Sequence, residues 1–136
     1  MAVRVVGAVI IRDGLVLAAQ RGEGMTLAGK WEIPGGKIES DESPRSALSR
    51  EIAEELGCSI SVGRRVASTT HKYDFGVIKL KTYYASIELG DPQASEHTEL
   101  RWIAVSELAS LDWAPADVPA VRQIVKHLAA PHDRPA

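Results

Sequence analysis

The stretch SPRSALSREIAEELG, Ser43 to Gly57, sets out a helix with both of its ends marked. Ser43 supplies a capping hydroxyl, and Pro44 suits the first helical position because the N–H it lacks would have no partner there. Gly57 suits the exit, where the backbone turns left-handed. The helix is therefore expected from about Pro44 to Leu56. Leu48, Ile52 and Leu56 recur every four residues and form an apolar stripe that must meet a core. At about 100° per residue, Glu51, Glu54 and Glu55 share another face, at the i, i+3, i+4 spacing. Carboxylates so placed repel by a few tenths of a kcal/mol per pair. A solvated acidic face is the ordinary meaning of such a run.

The residues just upstream give it another meaning. In WEIPGGKIESDE, Trp31 to Glu42, a rigid proline and two glycines bring bare backbone close to the start of the glutamate helix. Carboxylates and a free carbonyl are hard oxygen ligands. Mg²⁺ takes such ligands, keeps several waters, and joins a few protein oxygens to a phosphate. A bound cation would turn the repulsion into attraction.

Around this centre the chain reads as alternating strand and turn. Val3 to Ile11 and Leu15 to Ala19 are two apolar runs joined by a tight turn at Asp13-Gly14. RGEGMTLAGK is a glycine-punctuated loop, and WEI is a short strand stopped by PGG. From Ser59 to Leu89 the pattern is again strand-like, with YDFG as its turn, and LRWIAV is a further strand. Val121, Ile124, Val125 and Leu128 mark a closing amphipathic helix, and the tail from Pro131 is expected to fray. A mixed sheet with one helix in its middle and one at its end is an α/β layered pattern.

The 136 residues suffice for one domain with a core and are too few for two of ordinary size. The formal net charge of −2 argues against a protein that holds nucleic acid by neutralising many phosphates. Cys58 is the only cysteine, which excludes an intramolecular disulfide and a thiolate zinc cluster and fits a reducing compartment. The apolar N-terminal run is broken by Arg12 and Asp13, which is too early for a membrane helix, and no export-signal pattern follows it. A cytoplasmic protein is expected, with no membrane and no nucleic acid as partner.

From Gly36 to Cys58 the chain resembles the Nudix hydrolase signature. Five residues separate Gly36 from Glu42, seven more lead to Arg50-Glu51, and Ile52, Glu54, Glu55 and Gly57 then fall in place. Cys58 stands where an aliphatic residue is usual, and a small apolar thiol packs adequately there. The resemblance implies the Nudix fold, an α/β/α sandwich with a mixed β-sheet, as a single domain over 1–136. It implies hydrolysis of a nucleoside diphosphate linked to another group, with Mg²⁺ or Mn²⁺ as cofactor. Glu54 and Glu55 would be metal ligands, with the Gly35 carbonyl a third, and Glu51 a further ligand or the base that orients the attacking water. Arg50 and Glu42 would fix this geometry through a bidentate contact.

LAGKWEIPGGKIE, Leu27 to Glu39, further resembles the MutT-like branch, which acts on nucleoside triphosphates. By that resemblance Arg21 would contact phosphate, and Glu96, six residues before Trp102, would reach the metal site as ligand or base. His97 is expected to be a loop residue. Trp31, Ile33 and Trp113 are candidates for an apolar wall, two of the three as core, and Lys79 and Lys81 for phosphate contact. Asp117 in APAD would face the base; its other reading is an N-cap for the closing helix. An ionised carboxylate only accepts hydrogen bonds, so Asp117 would suit the amino group of cytosine. The expected activity is a pyrophosphohydrolase for cytidine nucleotides, with an 8-oxo-dGTP diphosphatase as the alternative. Relatives occur as monomers and homodimers. A catalytically silent nucleotide-binding domain would be expected to have lost a metal carboxylate, and Glu51, Glu54 and Glu55 are all present.

Overall fold

The computed structural model describes residues 2–95 and 97–128. The chain runs β1 (Ala2–Arg12), β2 (Leu15–Gln20), β3 (Trp31–Glu32), β4 (Gly35–Lys37), α1 (Pro44–Leu56), β5 (Ser59–Tyr73), β6 (Gly76–Leu89), β7 (Glu99–Ala104) and α2 (Val118–Leu128). Two 3-10 turns, Val105–Ser110 and Pro115–Asp117, precede α2. The expected frayed tail from Pro131 lies outside the described residues. Among the described residues no helix is long and apolar enough to cross a membrane.

The sheet follows the order β3-β2-β1-β6-β5, with β4 also paired to β1 and β7 to β2. It is mixed because β1 runs parallel to β6 from Ala2/Val77 to Ile10/Ala85, while the other pairings are antiparallel. Asp13 and Gly14 both take positive φ, 54° and 78°, the backbone a two-residue hairpin needs between twisted strands. The WEI strand does stop before PGG, β3 ending at Glu32, but the chain resumes at once as β4, where Gly35 and Gly36 pair with Gly7 and Val6 of β1. Glycine has little strand propensity of its own, and here β1 imposes the conformation.

Alternation along β1 divides the interior. Val6, Ala8 and Ile10 face α1 and pack with Leu48, Ile52 and Leu56, while Val9 faces the other side with Val66, Leu108, Trp113, Val121 and Ile124. The result is a sheet between two helical layers, the α/β/α sandwich. In α1, the Ser43 hydroxyl accepts the Ser46 N–H at 3.1 Å, and Gly57, at φ 71°, donates its N–H to Ala53. A cap of this kind is worth about 1 kcal/mol, and fully burying a Leu or Ile side chain, as at Leu48 and Ile52, about 1.5–3 kcal/mol. The apolar stripe thus fixes α1 against the sheet and leaves its glutamates over β4.

Candidate active site

The glycines of β4 are where α1 and the sheet come closest. A side chain on Gly36 would run into the carboxylate of Glu51, and one on Gly35 into the carbonyl of Val6. Glu51 therefore rests against bare backbone. Ala8 donates to the Pro34 carbonyl and Ile38 to that of Arg4, so the hydrogen-bonded pairs of this antiparallel ladder fall at even positions of β1. Gly35, opposite Gly7, then falls at a non-bonded position of the ladder, where a regular strand leaves the carbonyl to other partners.

Arg50 organises the acidic cluster. Its Nε and one terminal nitrogen donate to the two oxygens of Glu42 at 2.6 and 2.9 Å, a bidentate contact, and the guanidinium also reaches the Lys37 carbonyl at 3.1 Å. Its other terminal nitrogen donates to Glu51 at 3.2 Å and Glu54 at 3.0 Å and lies 3.6 Å from Glu39. The Arg50 hydrogen bonds hold the Glu42 carboxyl down at about 2, and the same contacts raise the Arg50 pKa above its already high value. Burial pushes the Glu51 carboxyl up, against the pull of Arg50. One guanidinium facing four carboxylates leaves negative charge in surplus. The Glu51 and Glu55 carboxylates and the Gly35 carbonyl are oxygen donors of the kind a hard divalent cation takes, although among the described residues no three acidic side chains converge on one point, Glu54 being turned to Arg50.

These groups form one end of a cavity of about 520 Å³, within the usual range for a small-molecule site. Glu51 and Glu55 line it with Gly35 and Gly36, whereas Glu54 is 59% exposed and held by Arg50 beside it. Val3, Val5, Ile78 and Leu80 supply an apolar floor from the adjoining strands β1 and β6. Ile33 lines the cavity next to Gly7, where an added side chain would press on Ile33 and Thr82.

At the other end stands Asp117, 6% exposed. Its Oδ1 accepts the Ile33 N–H at 3.1 Å, a bond across 84 residues that turns the side chain toward β3 rather than toward α2 as a cap. Burial pushes its carboxyl up to about 8, with the nearby Glu32 charge adding to the rise. A carboxyl so shifted favours its neutral form, which can both donate and accept, where the sequence reading considered only an ionised acceptor. Beside it, Glu32 receives Arg21 on one oxygen at 2.5 Å and His97 Nε2 on the other at 2.7 Å.

The structure divides the remaining candidates. Arg21 lines the cavity, with its guanidinium held by Glu32 and Thr26. Lys79 is exposed and does not line it, because alternation on β6 sets it on the face opposite Ile78 and Leu80; Lys81 shares that face. Trp31 and Trp113 are core, bridged to each other, and Ile33 alone of the three reaches the cavity. Glu96 lies outside the described residues. Sequence reasoning passed over Glu32, Tyr73 and Phe75, all of which line the cavity; His97 is the loop residue it was expected to be, and it lines the cavity too. Tyr73 and Phe75 stack at 4.8 Å at the end of the β5–β6 hairpin, Phe75 being 55% exposed. YDFG is the turn that was expected, with Asp74 and Phe75 between the strands, and the available signal was the pair of aromatics that the turn brings together.

Residues 1–124 match the NUDIX domain. The chain is 42% identical over 134 residues to the CTP pyrophosphohydrolase of Escherichia coli K12, covering 98% of this chain and 97% of that one. It is likewise 42% identical over 116 residues to a putative 8-oxo-dGTP diphosphatase 2 of Mycobacterium tuberculosis, covering 83% and 81%. The solution structure of a DNA mismatch repair protein MutT from methicillin resistant Staphylococcus aureus 252 superposes with a TM-score of 0.78 at 45% identity, covering 93% of this chain and 98% of that one. Similarity that runs through nearly the whole fold and into the glutamate helix makes this chain a member of the Nudix hydrolase family, MutT-like, and a nucleotide pyrophosphohydrolase.

Proposed function

We propose that the protein hydrolyses nucleoside triphosphates to the monophosphate and pyrophosphate, with water attacking the β-phosphorus, and that cytidine nucleotides (CTP, dCTP, 5-methyl-dCTP) are its preferred substrates. The observation that carries this reading is the polarity of the cavity: oxygen ligands in surplus at the Gly35–Glu51–Glu55 end, and the enclosed Asp117 carboxyl, beside the ion-paired Glu32, at the other. Phosphates and base would lie along it in that order. Nudix enzymes typically depend on a divalent metal. The Gly35 carbonyl with Glu51, Glu54, Glu55 and Glu96 would hold Mg²⁺, or Mn²⁺ in its place. Bound there, the cation supplies charge neutralisation for the triphosphate and a lowered pKa for the attacking water.

The chain's own residues do the rest. Arg50, clamped by Glu42, keeps the carboxylates of α1 in register with β4. Glu51 or Glu96 takes the proton from water. Asp117 meets the base, and as a neutral carboxyl it can donate to N3 and accept from the amino group of cytosine. The same neutral carboxyl supports the second reading, an 8-oxo-dGTP diphosphatase, because an oxidised guanine also requires a partner that donates and accepts.

Purified protein given CTP, 5-methyl-dCTP and 8-oxo-dGTP at equal low concentration, with Mg²⁺ or with a chelator, tests both readings. Mg²⁺-dependent pyrophosphate release, fastest from the cytidine nucleotides, is expected. A clear preference for 8-oxo-dGTP would favour the second reading, and no release from any of the three would overturn both.

A further inference from the structure

His97 is 8% exposed, its side chain 3%, and its Nδ1 finds no hydrogen-bond partner among the described residues. Keeping a polar ring in that position costs solvation, and only one of its nitrogens is repaid. That nitrogen, Nε2, is 2.7 Å from Glu32. A carboxylate only accepts, so Nε2 carries the proton and donates it. The other Glu32 oxygen receives Arg21 at 2.5 Å. Arg21 in turn donates through Nε to the Thr26 carbonyl at 2.5 Å and through its remaining nitrogen to the Thr26 hydroxyl at 3.0 Å. Met25, Thr26 and Leu27 form a wall of the cavity. Leu27 takes a positive φ of 56°, a conformation that a side chain resists and that the surrounding contacts must hold.

We propose that His97 is a positioning residue: through Glu32 and Arg21 it holds the segment 22–30 in the shape that walls the nucleotide cavity. The relay joins the segment just before β7 to the β2–β3 connection, and its middle member, Glu32, has both oxygens occupied. Without the imidazole N–H, Glu32 loses the partner that sets its plane, and Arg21 loses the fixed carboxylate that aims it at Thr26. The loss falls on substrate affinity, because the groups that would hold metal and attack phosphorus stand at the other end of the cavity.

The kinetic half of the test rests on the proposed function; the structural half does not. His97→Leu removes the donor, and His97→Gln returns an N–H at similar reach. In His97→Leu, amide hydrogen exchange over residues 22–30 is expected to rise about tenfold or more, while exchange in α1 stays unchanged. KM for CTP rises by a similar factor with kcat nearly constant, and His97→Gln restores both quantities. If His97→Leu does not fold, Glu32→Gln approaches the same bond from its other side and is expected to give the same exchange signature. Unchanged exchange over 22–30, or a His97→Gln protein as impaired as His97→Leu, overturns the proposal. If no nucleotide is hydrolysed even by the wild type, the function fails and the exchange comparison still decides the role of His97.

Discussion

Near the two ends of the cavity, two carboxyl groups are pushed in opposite directions. At the α1 end, Glu42 is half-buried and gripped by Arg50, whose hydrogen bonds hold its carboxyl down at about 2. At the far end, Asp117 is enclosed, has one backbone N–H for company, and is pushed up to about 8. Environment, not residue type, makes the difference: an ion pair favours the charged form at one end and burial favours the neutral form at the other, which is the division of labour the proposed function requires. The same contrast separates a region where geometry is kept by ion pairs from one where it is kept by burial.

The largest way to break the contrast is to remove charge from the cation end. Glu55→Gln is expected to lower pyrophosphate release by about a thousandfold or more, the several kcal/mol that metal-assisted charge neutralisation supplies, with the circular dichroism of the fold unchanged. Next comes Gly36→Ala, whose methyl group would enter the space of the Glu51 carboxylate. Displacing that group by an ångström is expected to cost about a hundredfold in kcat. Arg50→Lys keeps the charge and loses the bidentate grip on Glu42, for an expected loss of about tenfold in kcat.

At the buried end the expected effect is smaller and depends on pH. The folded-state pKa of Asp117 lies above its unfolded value near 3.8, so the folded protein holds a proton that the unfolded chain has released. Its contribution is complete below about pH 4 and is lost as pH rises toward 8. The stability of the wild type relative to Asp117→Asn, from urea unfolding across that window, should therefore fall with rising pH, by about 1.4 kcal/mol per pH unit at most. Smallest of all, Lys79→Ala, on the sheet face away from the cavity, should leave kcat/KM within about twofold.

What could be read from the sequence was whatever the chain writes locally. The helix Pro44–Leu56 came out at its own limits because Ser43, Pro44 and Gly57 act on adjacent backbone. The spacing from Gly36 to Gly57 placed the glutamates because a helix converts sequence offset into direction. Partners far apart in the chain were not legible. Glu32 and His97 meet across 65 residues, and Asp117 and Ile33 across 84, and nothing near Asp117 distinguishes a cap from a carboxyl turned toward another strand. Gly35 and Gly36 read as a break because their strand is made by β1. Whether Lys79 reaches the cavity was not legible either, because alternation shows which residues share a face without showing which face meets the cavity, and Lys79 stands outside the lining.

The central claim is that oxygens from α1 and β4 converge on a divalent cation that grips a triphosphate. The most direct test is a crystal structure with Mg²⁺ and a non-hydrolysable CTP analogue. The account predicts cation density bounded by the Gly35 carbonyl and the carboxylates of Glu51, Glu54 and Glu55, phosphates on its far side, and the base against Asp117. Cation and phosphates bound elsewhere, with Glu54 still paired to Arg50 and Glu51 and Glu55 touching neither, would contradict it.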